Sequence, residues 1–177
     1  VARVLTVSPN YGAIELTSGR PAQLVPGDII VGVPGARAAL RGFCGRIPKT
    51  IARGDSLGLL NKGGVIGEPE GWTVGLGEPS RVEVLGTPVR DGRPLVLSEH
   101  ALSKIDVLPQ PMPKVLIVAA TCMSAGKSTA ASVIIHHLSN SGLRVHAGKV
   151  TGVAAIADLL SFSDSGAHSI LSFVDAG

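Results

Sequence analysis

The chain has 177 residues, with 16 Lys and Arg against 13 Asp and Glu, for a formal net charge of +3. A hydrophobic content of 45% excludes an extended disordered chain, and no apolar run approaches the roughly 20 residues of a membrane-spanning helix. Two cysteines, Cys44 and Cys122, make no disulfide framework, and the opening Val-Ala-Arg-Val-Leu-Thr-Val reads as a strand rather than a signal peptide. A cytoplasmic protein with one domain or two small ones is expected.

Residues 1–108 read as short strands separated by turn signals. The candidates are 2–7, 13–17, 28–33, 72–76, 81–85 and 95–98. Turns are expected at Ser8-Pro9-Asn10, Pro26-Gly27-Asp28, Arg53-Gly54-Asp55, Lys62-Gly63-Gly64 and Asp91-Gly92. This pattern predicts a small all-β barrel- or sandwich-like domain, with one helical piece at 36–41 after Pro34-Gly35. Two weak repeats occur. Leu24 to Ile30 resembles Ile51 to Leu57, and Val65 to Pro69 resembles Val74 to Pro79. Both are read as one turn solution used twice. Arg37, Arg41, Arg46, Lys49 and Arg53 form a basic stretch with no acid between Asp28 and Asp55. It is read as a solvated face, with an anion site as the alternative. One Trp, one Tyr and three Phe leave little for base stacking, so nucleic acid is not an expected partner.

All twelve prolines lie at or before Pro113. Pro109-Gln110-Pro111-Met112-Pro113 is a stiff linker, incompatible with helix or central strand, and divides 1–108 from 114–177.

In 114–177 the apolar run Val115-Leu116-Ile117-Val118-Ala119-Ala120 predicts a buried strand. Thr121-Cys122-Met123-Ser124-Ala125-Gly126-Lys127-Ser128 follows, then a helix whose Ala131, Ile134, Ile135 and Leu138 share one face. Ser139 to Gly142 is a stop signal, with Gly142 at C′. A second strand is bracketed by Leu143–Val145 and Val150, a helix is expected over 153–162, and a third strand runs from Ile170 to Asp175. Strand, helix and strand in about 35 residues form a βαβ unit, which predicts a parallel α/β sheet. Only three strands fit here, so the sheet is expected to be truncated and the chain to be the N-terminal piece of a longer protein.

The octapeptide has the chemistry of a phosphate-binding loop, although Thr121 stands where the strict pattern has Gly. Gly126 lets the backbone turn tightly and bring N–H groups toward an anion. The helix N-terminus adds its dipole. Lys127 supplies a charge for terminal phosphates, and the Ser128 hydroxyl suits a Mg²⁺ shell. An apolar strand ending in Asp175 is the Walker-B-like arrangement, which makes Asp175 the second metal ligand; Asp158 and Asp164 are rivals.

Ala120 to Thr129, followed by Gly142-Leu-Arg-Val-His-Ala-Gly-Lys149-Val-Thr-Gly152, resembles the dethiobiotin synthetase-type P-loop proteins. These include cobyrinic acid amidases and molybdopterin-guanine dinucleotide B proteins. The closest likeness is to the domain-of-unknown-function 1611 branch, some members of which are described as D-glutamate N-acetyltransferases. The resemblance covers 114–177. It implies an α/β P-loop fold and ATP or GTP with Mg²⁺. It also implies a Lys149 that reaches the phosphate or substrate side from the end of the second strand. Lys149-Val150 lacks the Pro of that pattern, and Cys122 stands where the family has Asp.

The expected function is phosphate binding by residues 122–129 (Cys122, Met123, Ser124, Ala125, Gly126, Lys127, Ser128, Thr129) in a synthetase- or kinase-like enzyme. Lys127 and Lys149 are the catalytic candidates, Ser128 and Asp175 the metal ligands, and a small acidic metabolite the substrate. The alternatives are an N-acyltransferase that holds coenzyme A phosphates on the same loop, and a non-catalytic binding module. No membrane partner is expected, and a homo-oligomer is allowed.

Overall fold

A computed structural model describes residues 1–39, 41–108, 110–152 and 155–176. The chain divides into two compact units, one within 1–95 and the other formed by 96–152 with 156–176.

The first unit is built from strands. In chain order they are β1 (Ala2–Thr6), β2 (Ala13–Glu15), β3 (Pro21–Gln23), β4 (Ile29–Ile30), β5 (Val33–Pro34), β6 (Phe43–Arg46), β7 (Ser56–Leu59), β8 (Val65–Trp72), β9 (Arg81–Val84), β10 (Val89–Arg90) and β11 (Arg93–Pro94). Seven of them form one sheet in the order β4-β1-β9-β7-β8-β5, with β6 also pairing β8. Every pairing in it is antiparallel except β5 with β8. β2–β3 and β10–β11 are separate hairpins. Period-2 alternation builds the core: β1 buries Ala2 and Val4 while Arg3 and Leu5 face outward. Around them pack Leu24, Ile30, Leu57, Leu59, Ile66 and Val82.

The repeat at Gly27-Asp28 and Gly54-Asp55 is one turn used twice, down to its hydrogen bonds. Gly27 and Gly54 have φ of +97° and +93°. Asp28 Oδ2 accepts the Val25 N–H at 2.9 Å, and Asp55 Oδ2 accepts the Ala52 N–H at 2.7 Å. Gly27 and Gly54 donate to the carbonyls of Val4 and Val84, each at 2.8 Å. Since β1 and β9 pair antiparallel, the two turns are related by a local two-fold axis. The other repeat does not hold: Val65 to Pro69 lies in β8, whereas Val74 to Pro79 follows that strand through turns and bends.

Three local expectations are corrected. Residues 36–41 form no helix; Arg37 instead makes an isolated bridge with Gly45, which extends the ladder (Leu40 lies outside the described residues). The strand expected at 72–76 ends at Trp72, because Gly75 takes a left-handed conformation with φ +91°. At 95–98 the backbone enters a 3₁₀ turn, Leu97–His100.

The second unit contains α1 (Lys127–Asn140), β12 (His146–Lys149), α2 (Ala157–Asp164) and β13 (Ser169–Ser172), followed by a 3₁₀ turn, Phe173–Ala176. Val153 and Ala154, part of the helix expected at 153–162, lie outside the described residues. Both helices close in Schellman turns. Gly142 donates to Ser139 and Leu143 to Leu138; Gly166 donates to Ser163 and Ala167 to Phe162. Ile135, Leu159 and Phe162 form the core, with Ala131, Val145, Ala147 and Ile170 packed against it.

The expected α/β P-loop fold is not what forms. Strands dominate the chain, its main sheet is mixed and mostly antiparallel, and two α-helices occur among the described residues. Among the described residues, parallel pairing in the second unit is limited to β12 with β13. The run 115–120 is no strand, and Val115, Leu116 and Ile117 are 69%, 65% and 82% exposed. An apolar run becomes a strand only when a neighbour accepts its N–H and C=O groups. Among the described residues none pairs with 115–120. The third strand also stops early, so Asp175 falls in the 3₁₀ turn rather than at the strand's last residue.

Candidate phosphate-binding loop

The segment between Ala120 and α1 is exposed and turns through alternating backbone hands. Ser124 has φ +59° and Gly126 φ +84°, with Ala125 of ordinary hand between them. Successive residues of opposite hand point their N–H groups into one concavity, the arrangement that cradles anions. Gly126 is the N-cap of α1, and no side chain caps the helix. The first helical backbone bond runs from Ala130 to Gly126 at 2.9 Å. Among the described residues, nothing accepts from the amides of Lys127, Ser128 and Thr129. There is no acidic residue in the first turn, so no side chain of that turn offsets the positive end of the helix.

Lys127 folds back across this loop, its Nζ donating to the Cys122 carbonyl at 2.5 Å. Among the described residues its ammonium has no carboxylate partner. The Cys122 thiol is free and exposed, and Met123 is also exposed. Ser128 is half-buried and its hydroxyl makes no hydrogen bond among the described residues, while Thr129 is exposed.

Lys149 sits at the C-terminal end of β12, in register with Ser172 of β13. Its Nζ forms an ion pair with Asp158, in the first turn of α2. The Lys149 side chain is 16% exposed, so that pair is partly shielded from water. A strand-end cation followed nine residues later by a carboxylate opening the next helix is the sequence signal of this partnership. Asp175 Oδ2 accepts the Ser172 N–H at 2.7 Å and so braces its own turn. Its other oxygen and the Ser128 hydroxyl are hard oxygen donors of the kind Mg²⁺ takes, alongside water and phosphate. No group of three or more His, Cys, Asp or Glu positioned for a metal occurs among the described residues.

Two cations of the basic stretch in the first unit, Arg37 and Arg46, are engaged by groups of the fold. The Arg37 guanidinium donates to the carbonyls of Phe43 and Leu60, both at 2.9 Å, and so acts as a clamp. Arg46 pairs with Glu68 at 2.8 Å and Glu70 at 3.5 Å. The hydrogen bond that Arg46 donates to Glu68, then the charges of Glu68 and Glu70, raise the Arg46 pKa above its ordinary value.

No helix among the described residues is long and apolar enough to cross a membrane. No family model matches the chain, nor does any curated protein or solved structure.

Proposed function

We propose that residues 122–129 hold the phosphates of ATP or GTP in a synthetase- or kinase-like enzyme acting on a small acidic metabolite. The observation that carries this reading is the convergence of alternating backbone hand, open helix amides and a Lys127 ammonium without a carboxylate partner. Each element suits an anion, and together they suit a polyphosphate. The metabolite class rests on the resemblance of 114–177 alone.

In this reading the amides of 127–129 take phosphate oxygens, and Lys127 exchanges the Cys122 carbonyl for a terminal phosphate. Ser128 and Asp175 are the residues that would hold Mg²⁺, whose chemistry there is neutralisation of phosphate charge. Lys149 contributes by leaving Asp158, its ion-pair partner in α2.

Isothermal titration of the purified chain with Mg-ATP, Mg-GTP and acetyl-CoA, repeated on Lys127→Ala, tests the proposal. A charge-assisted contact contributes about 1.5–3 kcal/mol, so the variant should bind nucleotide at least about tenfold more weakly. Absence of nucleotide binding, or binding indifferent to Lys127→Ala, overturns it. Magnesium-independent binding of acetyl-CoA alone would replace it with the acyl-transfer reading.

A further inference from the structure

At the opposite end of β12 from Lys149, two histidines meet. His146 opens β12 and pairs in register with Ser169, the first residue of β13, while His168 immediately precedes it. Their ring centres lie 5.2 Å apart with planes at 80°. Both side chains are exposed. The His146 Nδ1 shares a 2.7 Å hydrogen bond with Ser169 Oγ, which fixes that ring and leaves Nε2 as its free nitrogen. The His168 backbone is held by a 2.7 Å bond from its N–H to the Val145 carbonyl.

We propose that His146 and His168 form a two-histidine site for a borderline divalent transition metal such as Zn²⁺, completed by water. Two imidazoles bound to one tetrahedral ion through nitrogens at about 2.0–2.1 Å hold their ring centres about 5 Å apart. The separation present is of that size; the rings meet edge to face, so joint ligation requires the exposed His168 side chain to rotate while the strands stay in place. A ligating histidine whose other nitrogen is anchored by a hydrogen bond is the usual arrangement, and Ser169 provides that anchor. His168 also borders a hollow of about 330 Å³, lined in part by Ser139 and Gly166, at the C-terminal ends of α1 and α2. Helix C-termini carry partial negative charge and favour a cation. Arg144 lines the same hollow and opposes an ion held by charge alone. The site therefore selects metals that bond strongly to imidazole over Mg²⁺ or Ca²⁺.

The test is calorimetric titration of the full chain with Zn²⁺. It uses a background carrying Cys122→Ser, His136→Gln and His137→Gln, which removes the exposed thiol and the neighbouring histidines of α1. One ion per chain is expected, with binding weakened at least tenfold by His146→Ala and, separately, by His168→Ala. With Cu²⁺ as the probe, electron paramagnetic resonance should show two coupled nitrogens, falling to one in either variant. No binding to the background chain, or binding that either substitution leaves unchanged, overturns the proposal. Because both rings are exposed, neither substitution removes core packing, and circular dichroism checks that the fold is kept.

Discussion

Ser124 has the most strained backbone in the loop. At φ +59° its Cβ is crowded by the adjacent carbonyl, a cost of about 1–2 kcal/mol that glycine does not incur. Strain of this kind persists where the surroundings impose it, and it clusters at functional sites. Ser124→Gly should stabilise the second unit by about 0.5–1 kcal/mol, the relief being partly offset by the freer unfolded chain. Ser124→Val, β-branched at positive φ, should destabilise it by at least about 1 kcal/mol. Denaturant unfolding of the two variants checks the ordering; a stabilising Val would mean that the left-handed turn is not kept in solution. Gly126 differs in kind. A Cβ there meets nothing within 4 Å, so Gly126→Ala costs only the conformational penalty of φ +84°. The Gly126-Lys127-Ser128 signal was legible because it specifies backbone conformation and charge directly. The αL residue at Ser124 was not legible, since nothing in Ser-Ala-Gly marks which residue turns left.

At the scale of elements, packing determined what local propensity did not. β8 reads Val-Ile-Gly-Glu-Pro-Glu-Gly-Trp, poor in strand formers, yet it is the longest strand in the chain. It forms because β7 pairs one stretch of it and β5 and β6 pair others, so tertiary partners override weak propensity. Pro69, which has no N–H to give, faces Gly45 where the β6 register shifts. The opposite happens at 115–120, where strong strand propensity finds no partner strand among the described residues. In α1 the periodicity was a partial guide: Ile135 is 5% exposed and Ala131 packs beside it, while Ile134 and Leu138 are half-buried and not part of that core cluster. Phe162 of α2 completes that core at 5% exposure. Phe162→Ala should cost about 3–5 kcal/mol by loss of transfer energy plus the cavity left behind. That is a large share of the roughly 5–15 kcal/mol that holds a domain. Thermal unfolding followed by circular dichroism should show a lost or strongly lowered helical transition; a loss below about 1 kcal/mol would mean that Ile135 and Leu159 hold the helices without it.

At the scale of the whole molecule, the chain organises short elements by repetition in its first unit and by a minimal parallel pair in its second. The doubled Gly-Asp turn was visible in the sequence because both copies need the same residue types: a glycine for positive φ and an aspartate to take a backbone N–H. The axis relating them was not visible, since it arises from the antiparallel pairing of β1 with β9, a contact of high sequence separation. That axis has an energetic consequence. The turns flank opposite sides of the β1–β9 pair, with β4 beyond β1 and β7 beyond β9. With strands about 4.8 Å apart, they are separated by roughly 14 Å. Groups farther apart than about 7–10 Å with no shared partner contribute additively within about 0.5 kcal/mol. Asp28→Ala and Asp55→Ala each remove one side-chain hydrogen bond from a turn amide and should each cost about 1 kcal/mol. The double variant should lose the sum. Urea unfolding of the four proteins closes the cycle. If the coupling exceeds about 0.5 kcal/mol, strain passes between the turns through β1 and β9, and the two halves form one cooperative clasp rather than two independent ones.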